Sequence, residues 1–195
     1  MASKRNRRDI ILDAARGQVL AVGVRRMTLT DVARQAGVSR MTVYRQFPDV
    51  DAMVRELLTR EFGDLIAGAS QAGEGAPHVR GQLVAATVAA VRALHDNDLL
   101  RRVLDVDPEL LVPYLVDRLG GSQRTAAEYF ADGIARGQAD GSVRAGPVPT
   151  LAHTLMLTVQ SYALSMRPVA EVVPAAELYA ELATLLDSYL SPPKE

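Results

Sequence analysis

Residues Thr28 to Phe47, TLTDVARQAGVSRMTVYRQF, constrain the fold more than any other stretch, because two short helix signals meet there across a glycine-containing turn. The Thr28 hydroxyl is placed to cap the free amides of a helix start, and Asp31, three positions on, is placed to complete a capping box. A short helix is therefore expected from Leu29. Its inner face is Leu29, Val32, Ala33 and Ala36, with Ala33 small where a second helix must cross. Gly37 ends it, since glycine takes the left-handed conformation at a helix C-terminus without a Cβ penalty. Ser39 then caps a second helix, Arg40 to Phe47, which buries Val43 and Phe47 and spreads Arg40, Met41, Thr42, Tyr44, Arg45 and Gln46 over its other faces. Pro48 stops it. Two helices of this size joined by a short turn make a helix-turn-helix, whose second helix enters the DNA major groove. On this fragment alone, an ordinary αα-hairpin is the alternative.

Charge separates the two. Residues 1–60 hold twelve Lys or Arg against six Asp or Glu, a net of +6, while residues 61–195 hold ten against seventeen, a net of −7. The total of −1 hides this dipole. Positive charge gathered around a helix-turn-helix is the footprint of phosphate contact. Arginine abundance alone carries less weight, because twenty of the twenty-two basic residues are Arg and such a bias also follows genome composition.

The run from Ile11 to Met53 resembles the DNA-binding domain of the tetracycline-repressor (TetR) family of bacterial regulators. The matching positions are Ile11, Ala14, Ala15 and Gly23, then Thr28, Val32 and Ala33, then Ala36-Gly37-Val38-Ser39, and finally Thr42, Tyr44, Phe47 and Met53. The resemblance implies DNA contact through Thr28, Ser39, Arg40, Met41, Thr42, Tyr44, Arg45 and Gln46. Arg40, Met41 and Thr42 would face base edges, where Arg reads guanine bidentately and Met or the Thr methyl meets a thymine methyl. Arg45 or Gln46 would reach farther along the groove, and the Tyr44 and Thr28 hydroxyls would meet phosphate. Arg5, Arg7 and Arg8 read either as a basic arm ahead of the first helix or as a frayed terminus. Two positions depart from the family. Val50 stands where a phosphate-contacting lysine is usual, leaving Arg25, Arg26, Arg55 or Arg60 to supply the charge, and Val19 replaces a large aromatic.

The 195-residue chain has room for one compact domain plus a small appended one, and 48% hydrophobic content supports a sizeable core. It has no cysteine, secretory leader or run of eighteen apolar residues, so a cytoplasmic protein with no membrane association is expected. Helical periodicity continues throughout. Helices are expected from Asp49 to about Ala69, Pro77 to Asn97, Leu99 to Asp105, Glu109 to Leu119, Ser122 to about Ala139, Thr150 to Met166 and Pro174 to Leu190. No strand-like alternation appears. The fold class is all-α, with about nine helices: a three-helix head over residues 1–48, and a larger ligand-binding and dimerisation body over 49–195.

In the last helix Leu178, Leu182, Leu185, Leu186 and Tyr189 form a stripe that must be covered. A monomer core would cover it; the resemblance implies a homodimer in which 150–166 and 174–190 pair with their symmetry mates. A two-fold dimer presents two recognition helices about 34–36 Å apart and predicts a palindromic operator in double-stranded DNA. Phe62, Ile66, Thr87, Val91, His95, Val103, Tyr114, Phe130, Met156 and Gln160 are candidates to line a largely apolar pocket for a hydrophobic small-molecule effector. The resemblance implies that such a ligand tilts the helix beginning near Asp49 and releases DNA, as in a repressor. No catalytic motif, metal site or cofactor is expected. His78, His95 and His153 stand singly, and Asp105 and Asp107 before Pro108 read as capping or solvated turn residues. A helical interaction adaptor that does not bind DNA is the competing class, favoured by Val50 alone.

Overall fold

The computed structural model describes residues 6–193. Among these the secondary structure is helical throughout, with ten α-helices where about nine were expected. They are α1 (Arg7–Val22), α2 (Leu29–Gln35), α3 (Arg40–Gln46), α4 (Val50–Ser70), α5 (Val79–Asp96), α6 (Asp98–Val106), α7 (Val112–Val116), α8 (Gly121–Ala139), α9 (Val148–Val169) and α10 (Ala175–Leu190). Single 3-10 turns occupy Gln71–Gly73 and Pro108–Leu110.

Polar caps set most starts in the head. Asn6 caps α1, Thr28 caps α2 and Ser39 caps α3, each through a side-chain oxygen on a free backbone amide. Asp49 does the same for α4, accepting from the Ala52 amide at 2.6 Å. The turn between α2 and α3 rests on Gly37, whose φ of +66° an L side chain rarely adopts.

Five expectations require correction. Arg7 and Arg8 form no arm, because the Asn6 cap starts α1 at Arg7; Arg5 lies outside the described residues. Asp31 does not complete a capping box: its carboxylate takes the Thr28 hydroxyl at 2.6 Å and an Arg34 nitrogen at 2.6 Å. The single helix expected over 109–119 divides into the 3-10 turn and the short α7, with Pro108 and Pro113 each at a helix start, where a missing N–H is tolerated. Asp107 is no solvated turn residue, being fully buried. The penultimate helix also outruns its expected end, since α9 carries Pro168 in its last turn and closes at Val169.

The chain forms two compact units: residues up to Glu61 with Asn97–Gly121, and Phe62–Asp96 with the segment from Ser122 onward. In the first, α2 packs on α1 and α3, and α6 packs along α1. Ile11, Ala15, Val32, Val43, Phe47, Met53 and Leu57 are each at most 1% exposed there. In the second, α5 packs against α9 and α10 around a core that includes Val91, Ile134, Leu151, Leu155, Leu182 and Leu186. Arg80 ties this unit together by pairing with Asp187 at 2.8 Å and donating to the Ser191 hydroxyl at 2.7 Å. No helix of the described residues is long and apolar enough to cross a membrane.

Candidate nucleic-acid interface

The surface of α3 follows from its short length. Seven residues make two turns, so once Val43 faces inward most other side chains face out. Met41 is 75% exposed and Tyr44 49%, and Arg40 and Arg45 are exposed beside them. Ser39 and Thr42 are turned toward the helix start, where the Ser39 hydroxyl accepts from the Thr42 amide at 3.2 Å and the two hydroxyls bond at 2.8 Å. Gln46 is half-buried, and its amide oxygen is shielded with no donor among the described residues. The Thr28 hydroxyl both accepts from the Asp31 amide and donates to the Asp31 carboxylate. Of the eight contact residues expected, Arg40, Met41, Tyr44 and Arg45 thus project freely, while Thr28, Ser39 and Thr42 are engaged in capping.

Ion pairing sorts the arginines of the head. Arg8 is forked onto Glu56, whose hydrogen bonds hold the guanidinium pKa above its ordinary value. Arg16 pairs with Glu61 at 3.2 Å, Arg34 with Asp31 at 2.6 Å and Arg60 with Asp13 at 2.9 Å. Arg25 lies against Glu109 at 2.7 Å and, more distantly, Asp107. Its own backbone amide, and then Arg25, hold the Glu109 carboxyl below the usual carboxylate range. Arg7, Arg26, Arg40, Arg45 and Arg55 have no acidic partner among the described residues. Of the four arginines considered for the charge missing at Val50, Arg25 and Arg60 are therefore neutralised, whereas Arg26 and Arg55 are not. Val50 opens α4 between Asp49 and Asp51.

Glu56, Glu61, Asp107 and Glu109, which take Arg8, Arg16 and Arg25, carry no local sequence signal. Their arginine partners lie between 45 and 84 residues away along the chain.

The effector candidates are distributed over both units. Thr87, Val91 and His95 recur at four-residue spacing on α5, but the Thr87 hydroxyl is buried and donates to the Leu83 carbonyl at 2.6 Å. Val91, Phe130 and Met156 belong to one buried core. Gln160 accepts from Gln123, and Phe62, Ile66 and His95 are half-buried. Val103 and Tyr114 fall in the other unit: Val103 is fully buried, and Tyr114 lies under the Arg118 guanidinium at 5.4 Å.

A capped two-helix reader with an outward, cationic second helix defines a helix-turn-helix DNA-binding protein. The model of bacterial regulatory proteins of the tetR family matches residues 11–57. Along nearly its whole length the chain is 37% identical to the uncharacterised HTH-type transcriptional regulator Rv2250c of Mycobacterium tuberculosis, over 180 residues and 92% of each chain. It is 36% identical to the corresponding regulator of Mycobacterium bovis, Mb2274c, over the same share. Among solved structures, the transcriptional repressor QsdR of R. erythropolis has a TM-score of 0.68 at 16% identity, covering 99% of both chains. The repressor AlkX of Dietzia has 0.68 at 17%, covering 96% of this chain and 98% of that one. The chain belongs to the TetR family and is a helix-turn-helix transcriptional regulator.

Proposed function

We propose that the protein is a repressor that binds a palindromic operator as a homodimer and lets go of it when a hydrophobic small molecule enters its body. The observation that carries this reading is the sorting of arginines. Arg40 and Arg45 on α3, with Arg26 and Arg55 near by in sequence, have no acidic partner among the described residues, although half the described arginines of the head are paired. Unpaired guanidinium groups on an exposed helix favour phosphate and base-edge contact, and an adaptor without DNA binding has no need of them. In this reading Arg40 reads guanine, Met41 meets a thymine methyl, and Tyr44 and Arg45 meet the backbone. Thr28, Ser39 and Thr42 contribute chiefly by fixing the helix starts, and Gln46 reaches DNA only on leaving its shielded position.

The dimer reading rests on α9 and α10. Leu157 is 58% exposed and Leu185 49%, so each helix offers a large apolar side chain on the face turned away from its own core. Pairing these faces across a two-fold axis covers them and sets two copies of α3 to successive major grooves.

An effector acts by favouring the conformation that does not fit DNA. A 10- to 100-fold loss of operator affinity needs about 1.4–2.7 kcal/mol of coupling. Phe62, Ile66, Thr87, Val91, His95, Phe130, Met156 and Gln160, all in the second unit, are the proposed lining; Val103 and Tyr114 belong to the first unit and are not part of it.

Selection of genomic fragments by the purified protein tests the whole reading. A single palindromic motif, bound more weakly as salt rises, is expected; uniform recovery of all fragments refutes it. A ligand that binds equally well with and without operator DNA refutes the release mechanism.

A further inference from the structure

Asp107 is the one fully buried carboxylate among the described residues, and the DNA-reading surface makes no direct use of it. It closes α6, and one oxygen, Oδ2, accepts the Val24 amide at 2.8 Å across 83 residues of sequence. Its second oxygen, Oδ1, has no hydrogen-bond donor and faces the Arg25 Nε at 3.5 Å. The turn it grips is closely shaped. Gly23 has a φ of +82°, and a Cβ there would lie 3.1 Å from both Asp107 Oδ2 and a Val106 methyl. Beyond the grip, the Val24 carbonyl accepts from the Met27 amide at 3.1 Å, both side chains are buried, and the next residue, Thr28, caps α2. A short rigid path thus runs from Asp107 through Val24 and Met27 to the start of α2.

The other end of α6 is anchored as well. Asn97 caps it and donates to Glu61 on α4 at 2.9 Å, and Glu61 also takes Arg16 of α1. Helix α6 is therefore fixed to the head at both ends, and its C-terminal anchor is the one that bears on the reading helices.

The Val24 amide is the one hydrogen-bond donor that Asp107 takes among the described residues, so its hold on the turn rests on an acceptor at this position rather than on the charge of the carboxylate. We propose that Asp107 is a positioning residue for operator reading, setting the angle at which α2 and α3 leave α1 by holding the Gly23–Arg25 turn against the end of α6. The inference rests on the DNA-binding reading above and deepens it.

Operator affinity of the full-length protein tests it, measured beside binding to a scrambled duplex and well below each variant's melting midpoint. Asp107→Ala is expected to weaken operator binding at least tenfold and leave the scrambled duplex unaffected. Asp107→Asn keeps an acceptor for Val24 and is expected to restore operator affinity to within about threefold of wild type. Asp107→Ala that binds operator like wild type overturns the proposal, even if its melting midpoint falls, because the residue is then only structural. So does Asp107→Asn that binds as weakly as the alanine variant. If the alanine chain does not fold, Asp107→Glu, which overreaches the turn by one methylene, replaces it, and undiminished operator affinity again overturns the proposal. A wild-type protein that does not distinguish operator from scrambled duplex refutes the DNA-binding reading itself.

Discussion

The Arg8 guanidinium lies 4.7 Å from the centroid of the Phe47 ring while its fork closes on Glu56. One side chain of α1 thereby holds both the exit of α3 and the second turn of α4. Arg60 with Asp13, and Arg16 with Glu61, repeat the α1 to α4 connection farther along, with the signs alternating between the helices. Three ion pairs thereby tie α1 to α4.

Arg8→Ala removes a cation–π contact and a part-exposed ion pair together, worth about 1 kcal/mol. Thermal melting followed by circular dichroism should show a midpoint lower by about 2–4 °C. Arg8→Lys should recover little of it, because an ammonium cannot stack on Phe47 and fork onto Glu56 at once. A lysine variant that melts like wild type would show that charge alone matters.

Base readers and phosphate contacts fail differently. Arg40→Ala should cost about 1–3 kcal/mol of operator binding and relax the preference at one base pair of each half-site. Arg45→Ala should weaken all duplexes alike and lower the slope of log affinity against log salt by about one. Titrations of operator variants at several salt concentrations separate the two. An Arg40 variant with unchanged base preference would contradict its assignment.

Leu157→Glu and Leu185→Glu place charge on the outer faces of α9 and α10. Each is expected to turn a dimer into a folded monomer and to weaken operator binding, because one head then binds without its partner. Sedimentation with circular dichroism checks this. Dimers that persist in the double variant would place the interface elsewhere.

Asp140 governs part of the acid response. Its carboxyl is held below the ordinary aspartate range, first by the Ser142 hydroxyl and then by the Val79 and Ser142 amides. A depressed folded value means that its contribution is present above the ordinary range and disappears as pH falls through the folded value. Asp140→Asn should therefore lower the melting midpoint near about pH 6 more than near about pH 3, narrowing the gap between the two proteins in acid. An equal deficit at both would show that the charge of Asp140 does not contribute.

Much of the candidate site is legible in the amino-acid sequence alone. Thr28, Ser39, Asp49 and Gly37 mark element ends because capping and left-handed glycine depend on residues three or four apart. The outward set of α3 followed from Val43 and Phe47 facing in. The stripe of α10 was legible only in part: Leu182 and Leu186 are buried in the chain's own core, whereas Leu185 faces out. Helical periodicity marks an apolar face but does not say which neighbour covers each of its residues.

The amino-acid sequence by itself determined the helix-turn-helix, its caps and the residue types on the outward face of α3, since all of these depend on neighbours within one or two helical turns. Only the tertiary structure decided that Arg8, Arg16, Arg25 and Arg60 are neutralised and that Asp107 is buried against Val24. Those outcomes depend on partners 45 to 84 residues apart, brought together by packing, and no local pattern of charge or spacing encodes them.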